Sequence, residues 1–208
     1  MHRHGRVGPI EWAAVRRPLP GEPVCGDQPV ALRVGDAGAL FGVVDGLGHG
    51  APAAEAAECA ARVVSRDCAE PLDILIRSCH RALTDTRGAA MTLARINFDV
   101  GELAWIGIGN VTAHVVAKSA KGMEIRSAAR LTGGIVGYRL PEKLLAERVP
   151  IGPGDLLVIA SDGIAEDHLE DIDFAASATT IAEHVLAHHS RETDDALIMA
   201  ARHRGLAP

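Results

Sequence analysis

Apolar residues fall in short runs broken by Pro and Gly, at Ile10 to Val15, Ala31 to Val34 and Ala39 to Val44, the pattern of consecutive sheet strands. The third run stops at Asp45-Gly46-Leu47-Gly48-His49-Gly50, and Ala51 to Ala69 then takes up helical spacing with Pro52 near its first turn. Leu72, Leu75, Ile76, Cys79 and Leu83 recur at intervals of three and four, which predicts a second amphipathic helix. Four short runs follow, Met91 to Phe98, Leu103 to Ile108, Val111 to Ala117 and Met123 to Arg126, separated by polar and glycine turns. They read as an antiparallel meander. Leu144 to Val149 and Leu156 to Ala160 read as two strands joined through the tight turn of Pro150 to Asp155. After Ser161-Asp162-Gly163 the chain is expected to turn helical, again near Ile181 to His188, and to close with a strand at Ala196 to Ala201. No repeat, linker or boundary interrupts this order, so residues 1–208 are expected to form a single domain.

Composition sharpens the class. Hydrophobic residues make up 48% of the 208 and aromatic ones only 3%, so the core must be built from Ala, Val, Leu and Ile, which suits sheets covered by Ala-rich helices. A formal charge of -6, with no basic block longer than Arg16-Arg17, gives no footprint for nucleic acid or anionic lipid. No window approaches the roughly 18 apolar residues of a spanning helix, and Met1-His2-Arg3-His4 leads into no signal-peptide core. A cytoplasmic location is the expectation. Cys25, Cys59, Cys68 and Cys79 form no Cys-x-x-Cys pair and are expected to be reduced thiols rather than disulfides or zinc ligands.

Candidate chemistry lies in aspartates at strand ends: Asp27, Asp45, Asp162 and the pair Asp194-Asp195. Each alone is an ordinary turn or helix-cap signal. Strands far apart in sequence can deliver their ends to one edge of a sandwich, where gathered carboxylates repel unless cations neutralise them. Hard oxygen ligands of this kind prefer magnesium or manganese. Two such ions about 3.5–4 Å apart can share a water, lower its pKa and clamp a phosphate ester for in-line attack. Gly46 fits this picture because a backbone carbonyl approaches a metal only where no side chain obstructs it. The loop lacks the Gly-Lys-Ser/Thr of a phosphate-binding P-loop.

With these residues in view, the chain resembles the metal-dependent serine/threonine phosphatases of the PPM superfamily, in particular the short bacterial branch of SpoIIE-type and RsbX-like domains. The motifs come in the family's order: Cys25-Gly26-Asp27, Val43 to Gly50, Gly107-Ile108-Gly109-Asn110, Ala160-Ser161-Asp162-Gly163 and Thr193-Asp194-Asp195-Ala196. The resemblance implies an α+β fold, a four-layer αββα sandwich of two antiparallel sheets flanked by helices, with a binuclear Mn2+ or Mg2+ centre at one edge. By this likeness Asp45 bridges two ions, Gly46 offers its carbonyl to one, Asp162 and Asp194 bind the other, and Asp27 holds water from the outer shell. It also implies that Asp45 and Asp162 are catalytic, and that the substrate is a phosphorylated STAS-domain protein of a stressosome-like partner-switching pathway. A monomer is favoured, with regulation supplied from elsewhere.

Departures from the family pattern set further questions. Gly26 stands where larger relatives carry an acidic residue, Leu47 where they carry histidine, and Asp195 where many carry asparagine. His49, two residues beyond Leu47, is the candidate general acid for the leaving alkoxide. The phosphate-gripping arginine of the larger relatives is unassigned among Arg3, Arg6, Arg16 and Arg17. His184, His188 and His189 lack the His-Glu-x-x-His order of a zinc hydrolase and read as a polar helix face. Two rival readings are a non-catalytic phosphoprotein-binding module of the same fold, against which the retained aspartates argue, and a metal-dependent hydrolase of small phosphoesters, which would turn over free metabolites as readily as phosphoprotein.

Overall fold

The structure, a computed structural model, describes residues 1–119 and 122–205. One sheet runs in the spatial order β1 (His2–Val7), β2 (Ile10–Arg17), β12 (Ala196–His203), β11 (Leu156–Ala160), β7 (Thr112–Ser119) and β8 (Gly122–Ala128). The other runs β10 (Glu147–Pro150), β6 (Glu102–Ile108), β5 (Ala89–Asn97), β4 (Gly38–Gly46) and β3 (Asp27–Val34), with the two-residue β9 (Leu131–Thr132) beside β6. All pairings between these strands are antiparallel except β6 with β9.

Three hydrophobic layers explain the stacking. Between the sheets lie Trp105, Phe41, Ile10, Val43, Leu157 and Met199 with their neighbours. Outside the second sheet, α1 (Gly50–Arg66) and α2 (Leu72–Ala82) press Ala56, Ala57, Ala60, Leu75, Ile76 and Cys79 onto Leu40, Val44 and Met91. Outside the first, α3 (Ala178–His189) lays Ala178, Ile181, Ala182 and Val185 on Ala13, Val15, Val158 and Ile198. The result is the expected αββα sandwich of two sheets flanked by helices. Strands β4 and β12 are buried on both faces, which is why they read as unbroken apolar runs rather than alternating ones. Small alanines on α1 let the helix lie close to its sheet.

Several expectations need correction. The meander is broken: β5 pairs with β6 and β7 with β8, but β7 joins the other sheet through β11. Likewise the strands on either side of Pro150 to Asp155 lie in different sheets, so that turn crosses the sandwich. The strand expected from Leu144 begins only at Glu147, because the edge of β6 beyond Trp105 is taken by β9 at Gly107 and Ile108. Leu144 is instead buried under the α1 and α2 layer, and Leu145 is exposed. After Gly163 only a four-residue 3-10 turn forms, Glu166–Leu169. The segment is held against the end of α3, where Ala165 N–H donates to the His189 carbonyl at 2.8 Å and the His189 ring faces Asp167 and Asp171 at 3.1 and 3.3 Å. Strand β1 was not expected, because its alternating His and Arg residues form no apolar run.

Strand β3 is the outer edge of its sheet, and edges of this kind invite pairing with other chains. Here Arg16 donates to the Asp27 carbonyl, Arg3 donates to the Pro29 carbonyl, and Pro29 has no N–H to offer. All four cysteines are free thiols, and burial pushes those of Cys25 and Cys79 up to about 12, so neither is a reactive thiolate.

Candidate active site

Asp27 opens β3, Asp45 closes β4 one residue before its end, and the two are direct partners across the sheet. Opposed residues of an antiparallel pair project to the same face, so the register sets two carboxylates side by side. Asp27 is buried, and its Oδ2 accepts a hydrogen bond from Ser161 Oγ at 2.7 Å. Ser161 follows β11, and its Oγ in turn accepts from Leu197 N–H of β12 at 2.9 Å. One hydroxyl thus ties together the ends of both sheets.

Asp162 comes next, with Oδ2 accepting from Asn110 Nδ2 at 2.6 Å. Its turn is held by Arg191, whose backbone N–H donates to the Gly163 carbonyl at 2.7 Å and whose Nη1 donates to the Asp162 carbonyl at 3.3 Å. Gly163 is required here because a Cβ would be driven into the Asp195 carbonyl. Asp194 is half-buried, and its Oδ1 accepts from the Asp195 N–H at 2.8 Å. Asp195 is buried and accepts two backbone N–H groups, Leu19 at 2.8 Å and Gly26 at 2.9 Å. It pins the 18–26 loop against the start of β12. Gly26 is forced by the same contact, since a Cβ there would stand 2.8 Å from Asp195 Oδ2.

Five aspartates from four distant segments therefore meet at one edge of the sandwich. Burial drives the Asp45 carboxyl up to about 9, with the charges of Asp27, Asp162, Asp194 and Asp195 adding to it. Burial likewise raises Asp27 to about 7; the Ser161 hydrogen bond partly offsets this, and the charges of Asp195, Asp162 and Asp194 push the same way as burial. Asp194 is raised too, by burial and then by Asp162 and Asp195. As placed, no three His, Cys, Asp or Glu side chains among the described residues are close enough to hold one ion without moving. The donor set nonetheless fits hard divalent cations: it is all-oxygen and crowded with like charge. A Cβ at Gly46 would be driven into the Ala53 carbonyl of α1, so the helix start and the Asp45 loop can approach only through glycine.

His49 lies at the rim, beside α1, with Nδ1 2.6 Å from Glu22 Oε1, and its charge acts on Asp194. Glu22 engages the ring at Nδ1, and the His49 side chain is 53% exposed. The four N-terminal arginines are all engaged by carbonyls: Arg3 by Pro29, Arg6 by Gly8, Arg16 by Asp27, and Arg17 by Pro18 and Arg191. Arg87 is different. Its Nη1 lies 2.7 Å from where a Cβ on Gly48 would sit, and among the described residues no carboxylate or carbonyl partners it. Sequence reasoning passed over Arg87, Glu22 and Arg191, which belong to no motif, and undervalued Ser161 and Asn110, whose neighbours it had singled out. His184 and His188 stack on each other with ring centroids 4.2 Å apart on an exposed helix face, away from these groups.

Comparison with known proteins gives the same class. Residues 35–206 match the family described as Stage II sporulation protein E (SpoIIE). The chain is 26% identical over 144 residues to the phosphoserine phosphatase RsbX of Bacillus subtilis (strain 168), covering 69% of each protein. A solved chain from "The bacterial stressosome: a modular system that has been adapted to control secondary messenger signaling" is 31% identical, with a TM-score of 0.82 over 93% of this chain and 99% of that one. RsbX in complex with magnesium superposes with a TM-score of 0.79 at 21% identity, over 97% and 98% of the two chains. The fold is that of PP2C phosphatase domains. The chain belongs to the SpoIIE family.

Proposed function

We propose that this protein removes phosphate from phosphoserine or phosphothreonine on a phosphorylated STAS-domain protein of a stressosome-like pathway in the cytoplasm, using water activated at a centre of two Mn2+ or Mg2+ ions. The observation that carries the reading is the convergence of Asp27, Asp45, Asp162 and Asp194, where burial first and the neighbouring carboxylates second raise the pKa of Asp27, Asp45 and Asp194. Asp45 and the Gly46 carbonyl would hold one ion, with Asp45, Asp162 and Asp194 holding the second. When bound, such ions neutralise phosphate oxygens and acidify water. Asp27, fixed by Ser161, would accept a hydrogen bond from such a water and orient it. Asn110 fixes the Asp162 carboxylate in the same way. As the P–O bond to the serine or threonine oxygen breaks, His49, protonated at Nε2, would give that proton to the alkoxide. Arg87 would grip a phosphate oxygen from the Gly48 side.

Support for the partner comes from the likeness to RsbX and to a stressosome chain. No described helix is long and apolar enough to cross a membrane, and the net charge of -6 suits neither nucleic acid nor anionic lipid. The test compares phosphate release from a phosphorylated STAS-domain protein with release from free phosphoserine, both with manganese present. The proposal expects kcat/KM at least about 100-fold higher for the protein substrate. Equal turnover of the two would replace it with a small-phosphoester hydrolase.

A further inference from the structure

A groove of about 610 Å3 runs along the outer edge of β3 between two walls, one from α1 and the other from β1 and β2. Its floor is Gln28 to Leu32, five residues or roughly 15 Å of extended chain. The α1 wall is the exposed stripe Glu58, Ala61, Arg62 and Ser65, at the spacing of one helix face, and the opposite wall carries Arg3 and Arg16. The floor begins at Gln28, the residue next to Asp27 at the start of β3, so this end of the groove is the one nearer in the chain to the acid cluster.

Three arginines face one glutamate in a molecule whose overall charge is -6. Among the described residues neither Arg3 nor Arg16 has a carboxylate within 4.0 Å, and Arg62 meets Glu58 only at 3.9 Å. This positive charge is thus left largely uncompensated beside a negatively charged centre. The β3 backbone offers little to an added strand, since Arg16 and Arg3 occupy the Asp27 and Pro29 carbonyls and Pro29 lacks an N–H. Whatever lies here is read by charge and by contact with Pro29, Val30 and Ala31, not by strand addition.

We propose that this groove docks an extended acidic segment of the phosphoprotein substrate, presenting its phosphorylated residue to the centre at the Asp27 end. The proposal rests on the phosphatase reading above and adds a preference for glutamate or aspartate around the phosphorylated residue. Arg3 and Arg62 contribute attraction and selectivity and take no part in the chemistry.

The experiment uses two phosphoserine peptides, one flanked by glutamates and one by alanines, with an aryl phosphate as a third substrate, on the full chain and on a double variant Arg3→Glu, Arg62→Glu. The wild type should favour the glutamate-flanked peptide, and the double variant should lose about tenfold in kcat/KM on that peptide alone, with Arg62→Lys retaining the preference. The preference should weaken with added salt. Equal kcat/KM for the two peptides in the wild type, or equal losses on all three substrates in a variant of unchanged melting temperature, would overturn the docking role. If no substrate is turned over, the phosphatase reading fails, and anisotropy of the labelled glutamate-flanked peptide still decides the groove: binding lost in the double variant supports it, and no binding to the wild type refutes it. A dimer in sedimentation that the double variant dissociates, with peptide preference unchanged, would assign the groove to a second copy of the chain instead.

Discussion

Ser161 shows how one small side chain organises a charged site. Its hydroxyl donates to Asp27 and accepts from Leu197, and the bond to Asp27 acts against the burial that raises that carboxyl. Ser161→Ala should therefore cost about 1–2 kcal/mol in denaturant unfolding and move the Asp27 titration further up, measurable by carboxyl NMR. His49 should separate binding from proton delivery. His49→Ala should lower kcat about 10- to 100-fold on alkyl phosphoesters with little change on an aryl phosphate, whose leaving group needs no proton. Equal losses on both would remove it as the acid. At this scale the sequence was legible where a residue type admits few uses, as with aspartates beside glycines at strand ends. It was opaque where function follows from a neighbour far along the chain. Glu22 facing His49 and Arg87 facing Gly48 arise only once the 18–26 loop, the Asp45 loop and the segment after α2 lie together.

Among the elements, the Asp194-Asp195 turn and the 18–26 loop act as one unit. Asp195 satisfies two buried backbone donors, Leu19 and Gly26, so Asp195→Ala should destabilise the fold by about 2–4 kcal/mol. Asp195→Asn keeps one acceptor oxygen and should lose less, which urea midpoints will separate. The strands most faithfully marked in the sequence, β4, β5, β11 and β12, are those buried on both faces. Edge strands were the least legible. Strand β1 carries alternating polar residues, and the start of β3 reads Asp-Gln-Pro, because one side of each faces solvent or the acid cluster. The change of sheet between β6 and β7 was invisible, since Gly109-Asn110 marks a turn equally well whichever sheet receives the next strand.

For the molecule as a whole, the acid cluster is a source of instability that cations should relieve. Asp27 and Asp45 start from 3.8 in the unfolded chain and rise on folding to about 7 and about 9. The native state then holds more protons than the unfolded one between pH 4 and 9. Stability of the metal-free protein should fall as pH rises through that window, and be best preserved below it as far as these two groups are concerned. Asp45→Asn should flatten the profile and stabilise the metal-free protein at pH 8 by about 2 kcal/mol. Manganese should stabilise the wild type more at pH 8 than at pH 6, since binding must displace those protons. A metal-free stability that rises with pH across the window would contradict this.

The most direct test of the central claim is hydrolysis of an aryl phosphate with and without manganese by the wild type, Asp45→Asn and Asp162→Asn, with calorimetry of manganese binding on the same samples. The account expects manganese-dependent turnover in the wild type, loss of at least about 100-fold in each folded variant, and weakened manganese binding in both. Manganese-independent turnover, or variants that bind the ion and hydrolyse as the wild type does, would show that the aspartates gathered at the sandwich edge are not the catalytic centre.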